Sequence, residues 1–229
     1  MNRLVIGLDS STQSTKAIAW NEEGIAVAEG RCDIALSNPS LEKFEQDVED
    51  WWKAFCISCK ELNTKIDLNL VESIAISNQR ETLGVLDKKG KAIYPAMVWM
   101  DKRCVKEVEE LNEIVGGNKI HEISGRPKDP CPCLYRIFWL KKNEPDIFKK
   151  THCFADVQSF LVHRLTGEFK TGWISSDPHG MFDVVEKKWS KEILDHLEIN
   201  ENQLPKSFKP GTLIGKISTE AAYECGLKE

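Results

Sequence analysis

Short apolar runs separated by polar turns dominate the first third of the chain. The run Leu4–Leu8 is almost uninterrupted and rich in β-branched residues, and it stops abruptly at Asp9. A second run, Ala17–Trp20, follows a stretch of small and hydroxyl-bearing residues, and a third covers Ile25–Cys32. Runs of this length, separated by turn residues, are typical of buried strands in hairpins. The pattern therefore predicts a three-stranded antiparallel meander.

Later segments alternate between the spacing of strands and that of helices. Apolar residues recur at helical spacing from Val48 to Leu62, behind the capping residue Asp47, so Trp51 and Trp52 are expected in the core. The other predicted elements are strands at Val71–Ser77, Leu83–Leu86 and Ala92–Tyr94, the last ended by Pro95, a helix with Val105, Val108, Leu111 and Val115 inward, and helices near Cys133–Asn143, Asp156–Leu165 and Ser190–Leu197. Strands followed by alternating helices and strands indicate an α/β domain with a mixed β-sheet flanked by helices.

Composition narrows the class of protein. With 229 residues, 41% hydrophobic and 29% charged, the chain is long enough for a real core and has ordinary globular usage. A net charge of −5 argues against a nucleic-acid partner. No apolar run could span a membrane and no signal peptide is evident, so we expect no membrane partner and a cytoplasmic location.

The eight cysteines do not form a metal-site or disulfide pattern. Cys56 and Cys59 have the Cys-x-x-Cys spacing, but no second pair lies at zinc-finger distance. Cys131 and Cys133 form the other close pair and are isolated from the first. Reduced, buried thiols are expected in a cytoplasmic protein.

The polar stretch after the first strand has the chemistry of a phosphate site. Backbone N–H groups in a turn, with hydroxyls and Lys16 beside them, can surround phosphate oxygens. Asp9 at the strand end can hold a hydrated magnesium ion. Judged on this stretch alone, an ordinary hairpin turn is an equally good interpretation.

Arg80 and Glu81 form a second polar group at the end of a predicted strand. A sugar hydroxyl both donates and accepts hydrogen bonds, so an arginine donor beside a carboxylate acceptor can satisfy neighbouring hydroxyls together. The alternative interpretation is a structural ion pair.

Both groups resemble motifs of one family. The order Asp9, Thr12, Ser14, Lys16 resembles the phosphate-binding signature that opens the FGGY carbohydrate kinases, relatives of actin, hexokinase and the heat-shock ATPases. The run Asn78–Thr82 is similar to the glycerol-kinase motif of that family. The resemblance covers essentially the whole chain.

Three other positions bear on the resemblance. Ser11 stands where most members carry glycine. Cys131 falls, by counting, where the family has a glycerol-contacting tyrosine. The run Trp99–Asp101 resembles the ketose kinases, in which an acid near this place meets sugar hydroxyls.

The resemblance implies an actin-like ATPase (ribonuclease H-like) fold, with residues 1–229 as the N-terminal lobe and a C-terminal lobe absent from this chain. It implies ATP and Mg²⁺ as cofactors, with Mg²⁺ held through water by Asp9. The implied phosphate-binding residues are Asp9, Thr12, Gln13, Ser14 and Lys16, and the implied acceptor-binding residues are Arg80, Glu81, Trp99 and Asp101.

The function implied is ATP-dependent phosphorylation of a small polyol or ketose such as glycerol or xylulose. The catalytic base is expected beyond Glu229, in the segment that also leads to the second lobe, so this chain alone is expected to be inactive. Asp177 and Asp183 are less favoured bases because their neighbours indicate cap and turn chemistry. A non-catalytic actin-like module that binds sugar or nucleotide is the alternative. The sequence determines neither the acceptor nor the oligomeric state, and a homodimer stays open.

Overall fold

The computed structural model describes residues 3–229, so Met1 and Asn2 of the expected lobe lie outside the described residues. The strands of the described part are β1 (Leu4–Ser10), β2 (Ser14–Trp20), β3 (Ala26–Asp33), β4 (Ser37–Ser40), β5 (Lys43–Gln46), β6 (Val71–Asn78), β7 (Leu83–Leu86), β8 (Ala92–Met97), β9 (Cys153–Ala155), β10 (Lys170–Gly172), β11 (Phe182–Asp183), β12 (Lys188–Trp189) and β13 (Lys206–Phe208). The helices are α1 (Val48–Asn63), α2 (Val105–Val115), α3 (Lys119–Ser124), α4 (Cys133–Asn143), α5 (Pro145–Lys150), α6 (Val157–Thr166), α7 (Trp173–Ser176), α8 (Lys191–Leu197) and α9 (Thr219–Cys225).

One mixed sheet organises the candidate site. Its strands lie in the order β3-β2-β1-β6, with the first three antiparallel and β6 parallel to β1. The predicted meander and mixed sheet are confirmed. Parallel strands end at the same edge of a sheet, and Ser10 pairs with Asn78 in the β1–β6 register. The residues that follow these two strands therefore emerge side by side.

A second sheet has the order β4-β5-β8-β7-β9 and was not predicted as a unit. Pro95 was expected to end its strand, but β8 continues through it to Met97. The expectation was wrong because the β7–β8 register shifts beside Pro95, which has no paired residue in either neighbouring strand. Its missing N–H therefore removes no hydrogen bond from the sheet.

The longer helices confirm most of the sequence pattern. The Asp47 side chain caps α1 by accepting from the Glu49 N–H, and the α1 tryptophans, Trp51 and Trp52, are buried. Val105 was expected inward from α2 but is 51% exposed. The buried face of that helix instead begins at Cys104, which is in helical register with Val108, Leu111 and Val115.

Two apolar clusters form the core. One packs α1 and α6 against the mixed sheet, and the other lies between α2, α4 and α8. All eight cysteines lie in the described part of the chain and are free, and burial raises the pKa of Cys56 to about 12. Within residues 3–229, none of the helices combines the length and apolar composition that crossing a bilayer requires.

Candidate active site

The turn between β1 and β2 spans residues 11–13, which confirms the predicted polar hairpin. The Ser11 N–H and hydroxyl both donate to the Ser14 carbonyl, at 2.9 and 2.8 Å, and close the turn. Ser11 is not among the non-glycine residues with positive φ. Its backbone conformation therefore does not require the glycine that the family resemblance leads one to expect.

Charged side chains flank this phosphate turn (residues 11–13) on one face of the sheet. Asp9 is exposed and lies opposite the half-buried Lys16 in the β1–β2 register, so both side chains project from the same face. Thr12 is half-buried, Gln13 is exposed and Ser14 is buried. Four of the five predicted phosphate-binding residues are thus at least partly accessible, whereas the Ser14 side chain is covered.

Trp99 lies beside the phosphate turn. Its indole N–H donates to the Thr12 hydroxyl at 3.1 Å, and its side chain is 44% exposed. The structure therefore brings a predicted acceptor-binding residue into contact with a predicted phosphate-binding residue. The exposed ring leaves an apolar surface beside both.

Arg80 and Glu81 are joined by Arg126 and Asp177, which were not assigned to the acceptor. Arg80 Nη2 donates to both carboxylate oxygens of Asp177, at 3.1 and 3.0 Å. Arg126 Nη1 donates to Glu81 Oε1 at 3.2 Å, and its Nη2 donates to Asp177. Arg80 Nε lies 3.7 Å from Glu81 Oε1, which closes a ring of ion pairs. These four residues form one group of paired charges, the acceptor cluster.

The acceptor cluster balances two arginines with two carboxylates. Burial raises the pKa of Glu81, and the positive charges of Arg80 and Arg126 oppose that rise. The side chains are partly exposed, from 19% for Glu81 to 38% for Arg80. The cluster therefore presents N–H donors and carboxylate acceptors with little net charge, which suits hydroxyl groups.

Glu81 has an unusual backbone that Arg136 holds in place. Its φ of 51° lies in the left-handed region that residues other than glycine rarely adopt. Arg136 is fully buried in α4 and donates to the Glu81 carbonyl, and to those of Val98 and Cys131 at 2.6 Å each. One guanidinium thus ties together the loops that carry Glu81, Trp99 and Cys131.

Asp101 was expected among the acceptor-binding residues, but it does not join the acceptor cluster. It is fully buried, and its oxygens accept from Arg103 at 2.7 and 2.8 Å and from the Phe44 N–H at 2.9 Å. Arg103 also donates to Glu45 at 2.6 Å. Both oxygens of the Asp101 carboxylate are therefore already hydrogen-bonded, to Arg103 and to the Phe44 N–H of β5 in the second sheet.

Two other sequence interpretations concern Cys131 and Asp183. Cys131 is half-buried, and burial and its hydrogen bond with Asp129 raise the pKa of its thiol to about 11. This position therefore offers a protonated thiol and no phenolic hydroxyl. Asp183 accepts from the N–H groups of Val185 and Glu186 at 2.8 and 2.9 Å, the turn chemistry predicted for it.

Of the three site residues that were not predicted, one carried a local signal in the sequence and two did not. Arg136 stands between Tyr135 and Ile137 in the apolar first part of the predicted helix Cys133–Asn143, and a charge between apolar residues there was a usable signal. Arg126 lies in an irregular segment, 45 positions from Glu81, and Asp177 begins a single turn of 3₁₀ helix, 97 positions from Arg80. No local pattern connects residues at such separations.

Comparison with known proteins agrees with this architecture. Residues 4–229 match the model of the FGGY family of carbohydrate kinases, N-terminal domain. The chain is 28% identical to the xylulose kinase of Escherichia coli K12, over 98% of this chain and 46% of that protein. It is 30% identical to the glycerol kinase of Thermococcus kodakarensis, over 96% of this chain and 45% of that protein.

Comparison with a solved structure agrees with these sequence comparisons. The gluconate kinase from Lactobacillus acidophilus superposes with a TM-score of 0.93 at 25% identity, over 100% of this chain and 46% of that one. The chain spans about half the length of the curated relatives it matches. The predicted actin-like α/β fold is confirmed by this likeness. This chain therefore belongs to the FGGY family of carbohydrate kinases, and it corresponds to the N-terminal domain of that family.

Proposed function

We propose that this chain forms the phosphate- and acceptor-binding half of a kinase that transfers the γ-phosphoryl group of ATP to a hydroxyl of a small polyol or ketose. One observation carries the proposal. The phosphate turn and the Arg80–Glu81 pair follow adjacent parallel strands, and the Gln79 N–H donates to the Ser10 carbonyl at 2.9 Å where the strands end. Two groups suited to the two substrates therefore lie side by side.

The nucleotide end consists of the phosphate turn and the charged pair beside it. Lys16 would bind phosphate oxygens together with Thr12, Gln13 and the Ser14 backbone. Asp9 would hold Mg²⁺ through water, since it is an exposed carboxylate at the end of a strand. Bound Mg²⁺ would neutralise the charge that develops on the phosphoryl oxygens.

The acceptor end consists of the acceptor cluster and the Trp99 ring. Arg80 and Arg126 would donate to acceptor oxygens, and Glu81 would accept from a hydroxyl. Trp99 would pack against the carbon skeleton, since its ring is exposed beside the phosphate turn. Asp101 has no part in this proposal.

Phosphoryl transfer requires the acceptor oxygen to bond to the γ-phosphorus while the bond to the ADP oxygen breaks, and the hydroxyl proton passes to a base. Asp177 is a poor base because both of its oxygens already accept from Arg80. We therefore place the base, and the rest of the adenosine site, in a second lobe that follows Glu229. The whole enzyme would act on free sugars in the cytoplasm.

The test is ADP release with Mg-ATP and glycerol, xylulose, ribulose, xylitol, erythritol or gluconate. It is run on this chain and on a longer protein that contains it. We expect turnover of at least one acceptor by the longer protein and none by this chain alone. Binding of a sugar without turnover in both would favour a non-catalytic module. Turnover by this chain alone would show that the base lies within it.

A further inference from the structure

Buried side-chain hydrogen bonds join the phosphate turn to the loop of residues 79–82, the acceptor loop, through Gln46, the last residue of β5. Gln46 Nε2 donates to the Thr12 carbonyl at 2.7 Å. Gln46 Oε1 accepts from Gln79 Nε2 at 2.8 Å, and Gln79 Oε1 accepts from the Thr82 hydroxyl at 3.1 Å. Gln79 and Thr82 immediately flank residues 80–81. The connection therefore runs from the phosphate turn to the residues on both sides of Arg80 and Glu81.

The orientation of the Gln46 amide is determined by its partners. The Trp51 indole N–H can only donate, and it donates to Gln46 Oε1 at 3.0 Å. The Thr12 carbonyl can only accept, so it must face the Gln46 NH₂ group. The Gln46 amide in turn orients Gln79, whose oxygen is left to accept from Thr82. Each amide in the connection can therefore adopt only one of its two orientations.

The burial of these groups makes the connection rigid. Gln46 is 2% exposed, Gln79 8% and Thr82 1%. A buried polar group that loses its partner is not compensated by water, so each bond strongly favours the present geometry. The Gln46 backbone is itself fixed, because it pairs with Ala96 in the β5–β8 ladder. The hydrogen bonds of Gln46 thus hold the phosphate turn and the acceptor loop to one fixed residue of the second sheet.

We propose that Gln46 is a positioning residue that sets the separation between the phosphate turn and the acceptor loop. It would not touch either substrate, because its amide oxygen and nitrogen are bonded to Trp51, Gln79 and Thr12. It would bring the acceptor hydroxyl into line with the γ-phosphoryl group. The catalytic meaning of this inference rests on the proposed function. Misplacement of reacting groups by about 1 Å can lower a rate roughly 100-fold.

The kinetic test uses the catalytically competent longer protein with the variants Gln46→Met and Gln46→Glu. Methionine keeps the volume and removes every hydrogen bond, whereas glutamate keeps the acceptor and removes the donor to the Thr12 carbonyl. We expect kcat to fall by about 10- to 100-fold in both, with KM for ATP and for the acceptor changed by less than about threefold, since each loop still binds its own ligand.

Asn112→Leu is the matched control. Asn112 is a buried amide of α2 that bonds to Tyr135 and to the Val108 carbonyl, away from both loops. The variant Asn112→Leu should lower the midpoint of thermal unfolding, as Gln46→Met does, and leave kcat unchanged. Equal loss of kcat in this control and in Gln46→Met, or a change in KM alone, would overturn the proposal.

Failure of this inference is distinguishable from failure of the proposed function. A wild-type protein that phosphorylates no acceptor would contradict the proposed function. Hydrogen exchange measured on the 229-residue chain then still tests whether Gln46 couples the phosphate turn to the acceptor loop. Gln46→Met should accelerate exchange at residues 10–14 and at residues 79–82 together, and Asn112→Leu should accelerate neither. Acceleration at only one of the two segments would show that Gln46 does not couple them.

Discussion

Asp177 supplies one of the two negative charges of the acceptor cluster, and its replacement should change which acceptors bind. Asp177→Asn keeps the size of the side chain and one oxygen for Arg80 and Arg126 but removes the negative charge. The two arginines would then face Glu81 alone. The cluster would carry an excess positive charge available to a carboxylate on the acceptor.

The expected change in affinity follows from the distance between Asp177 and the carboxylate of the acceptor. A carboxylate of an acceptor held about 6 Å from Asp177 would be repelled by about 3 kcal/mol at an effective dielectric constant of about 20. The Asp177 side chain is 20% exposed, and solvent and salt screen part of this repulsion. Halving the figure leaves roughly 1.4 kcal/mol, which is about a tenfold change in affinity.

The assay is isothermal titration of gluconate and xylitol into the wild type, Asp177→Asn and Asp183→Asn. Asp183 serves as the control because it caps a turn at Val185 and Glu186 and contacts neither arginine. We expect the ratio of gluconate to xylitol affinity to rise about tenfold in Asp177→Asn and to stay constant in the control. An unchanged ratio in Asp177→Asn would refute the reasoning about charge.

Three further predictions concern the residues around the cluster. Arg136→Met should lower the free energy of unfolding by about 3 kcal/mol, because three carbonyls lose a buried donor. Urea titration measures this loss, with Arg31→Met, a change at an exposed arginine, as the control. The raised pKa of Glu81 means that its contribution to stability is fully present below its unfolded pKa and is lost as pH rises through its folded pKa. Glu81→Gln should therefore flatten the stability profile on the side above the ordinary glutamate pKa of 4.5, and an identical profile in the variant would contradict this. Because the pKa of Cys131 is raised to about 11, iodoacetamide at neutral pH should modify it more slowly in the native chain than in urea, as read by mass spectrometry, and equal rates would contradict the assignment.

Local patterns were sufficient for the parts of the fold that local interactions determine. The meander around Asp9 and the helix behind Asp47 were predictable because strand alternation, turn residues and caps lie within a few positions of one another. The helix before Gly167 was predictable for the same reason, since Gly167 adopts the left-handed conformation at its end. The resemblance added the expectation that the turn at residues 11–13 binds phosphate.

Contacts between distant segments could not be predicted in this way. The residue type of Asp101 suggested a ligand contact, but the fold buries its carboxylate against the N–H group of Phe44, 57 positions away. Asp177 looked like a turn residue, and only the tertiary structure brings it to Arg80. The connection through Gln46 also depends on strand β5, which no hydrophobic pattern predicted. These features depend on which side chains the tertiary structure brings together, and hydrophobic periodicity does not encode that.

The central claim is that the phosphate turn and the acceptor cluster serve the two substrates of one reaction. The most direct test measures KM for ATP and for the acceptor in the longer protein with Lys16→Ala and Arg80→Ala. Lys16→Ala should raise KM for ATP and leave KM for the acceptor nearly constant, and Arg80→Ala should raise KM for the acceptor alone by at least about tenfold, since a charge-assisted hydrogen bond contributes about 1.5–3 kcal/mol. An unchanged KM for every acceptor in Arg80→Ala, or the same change in both variants, would contradict the claim.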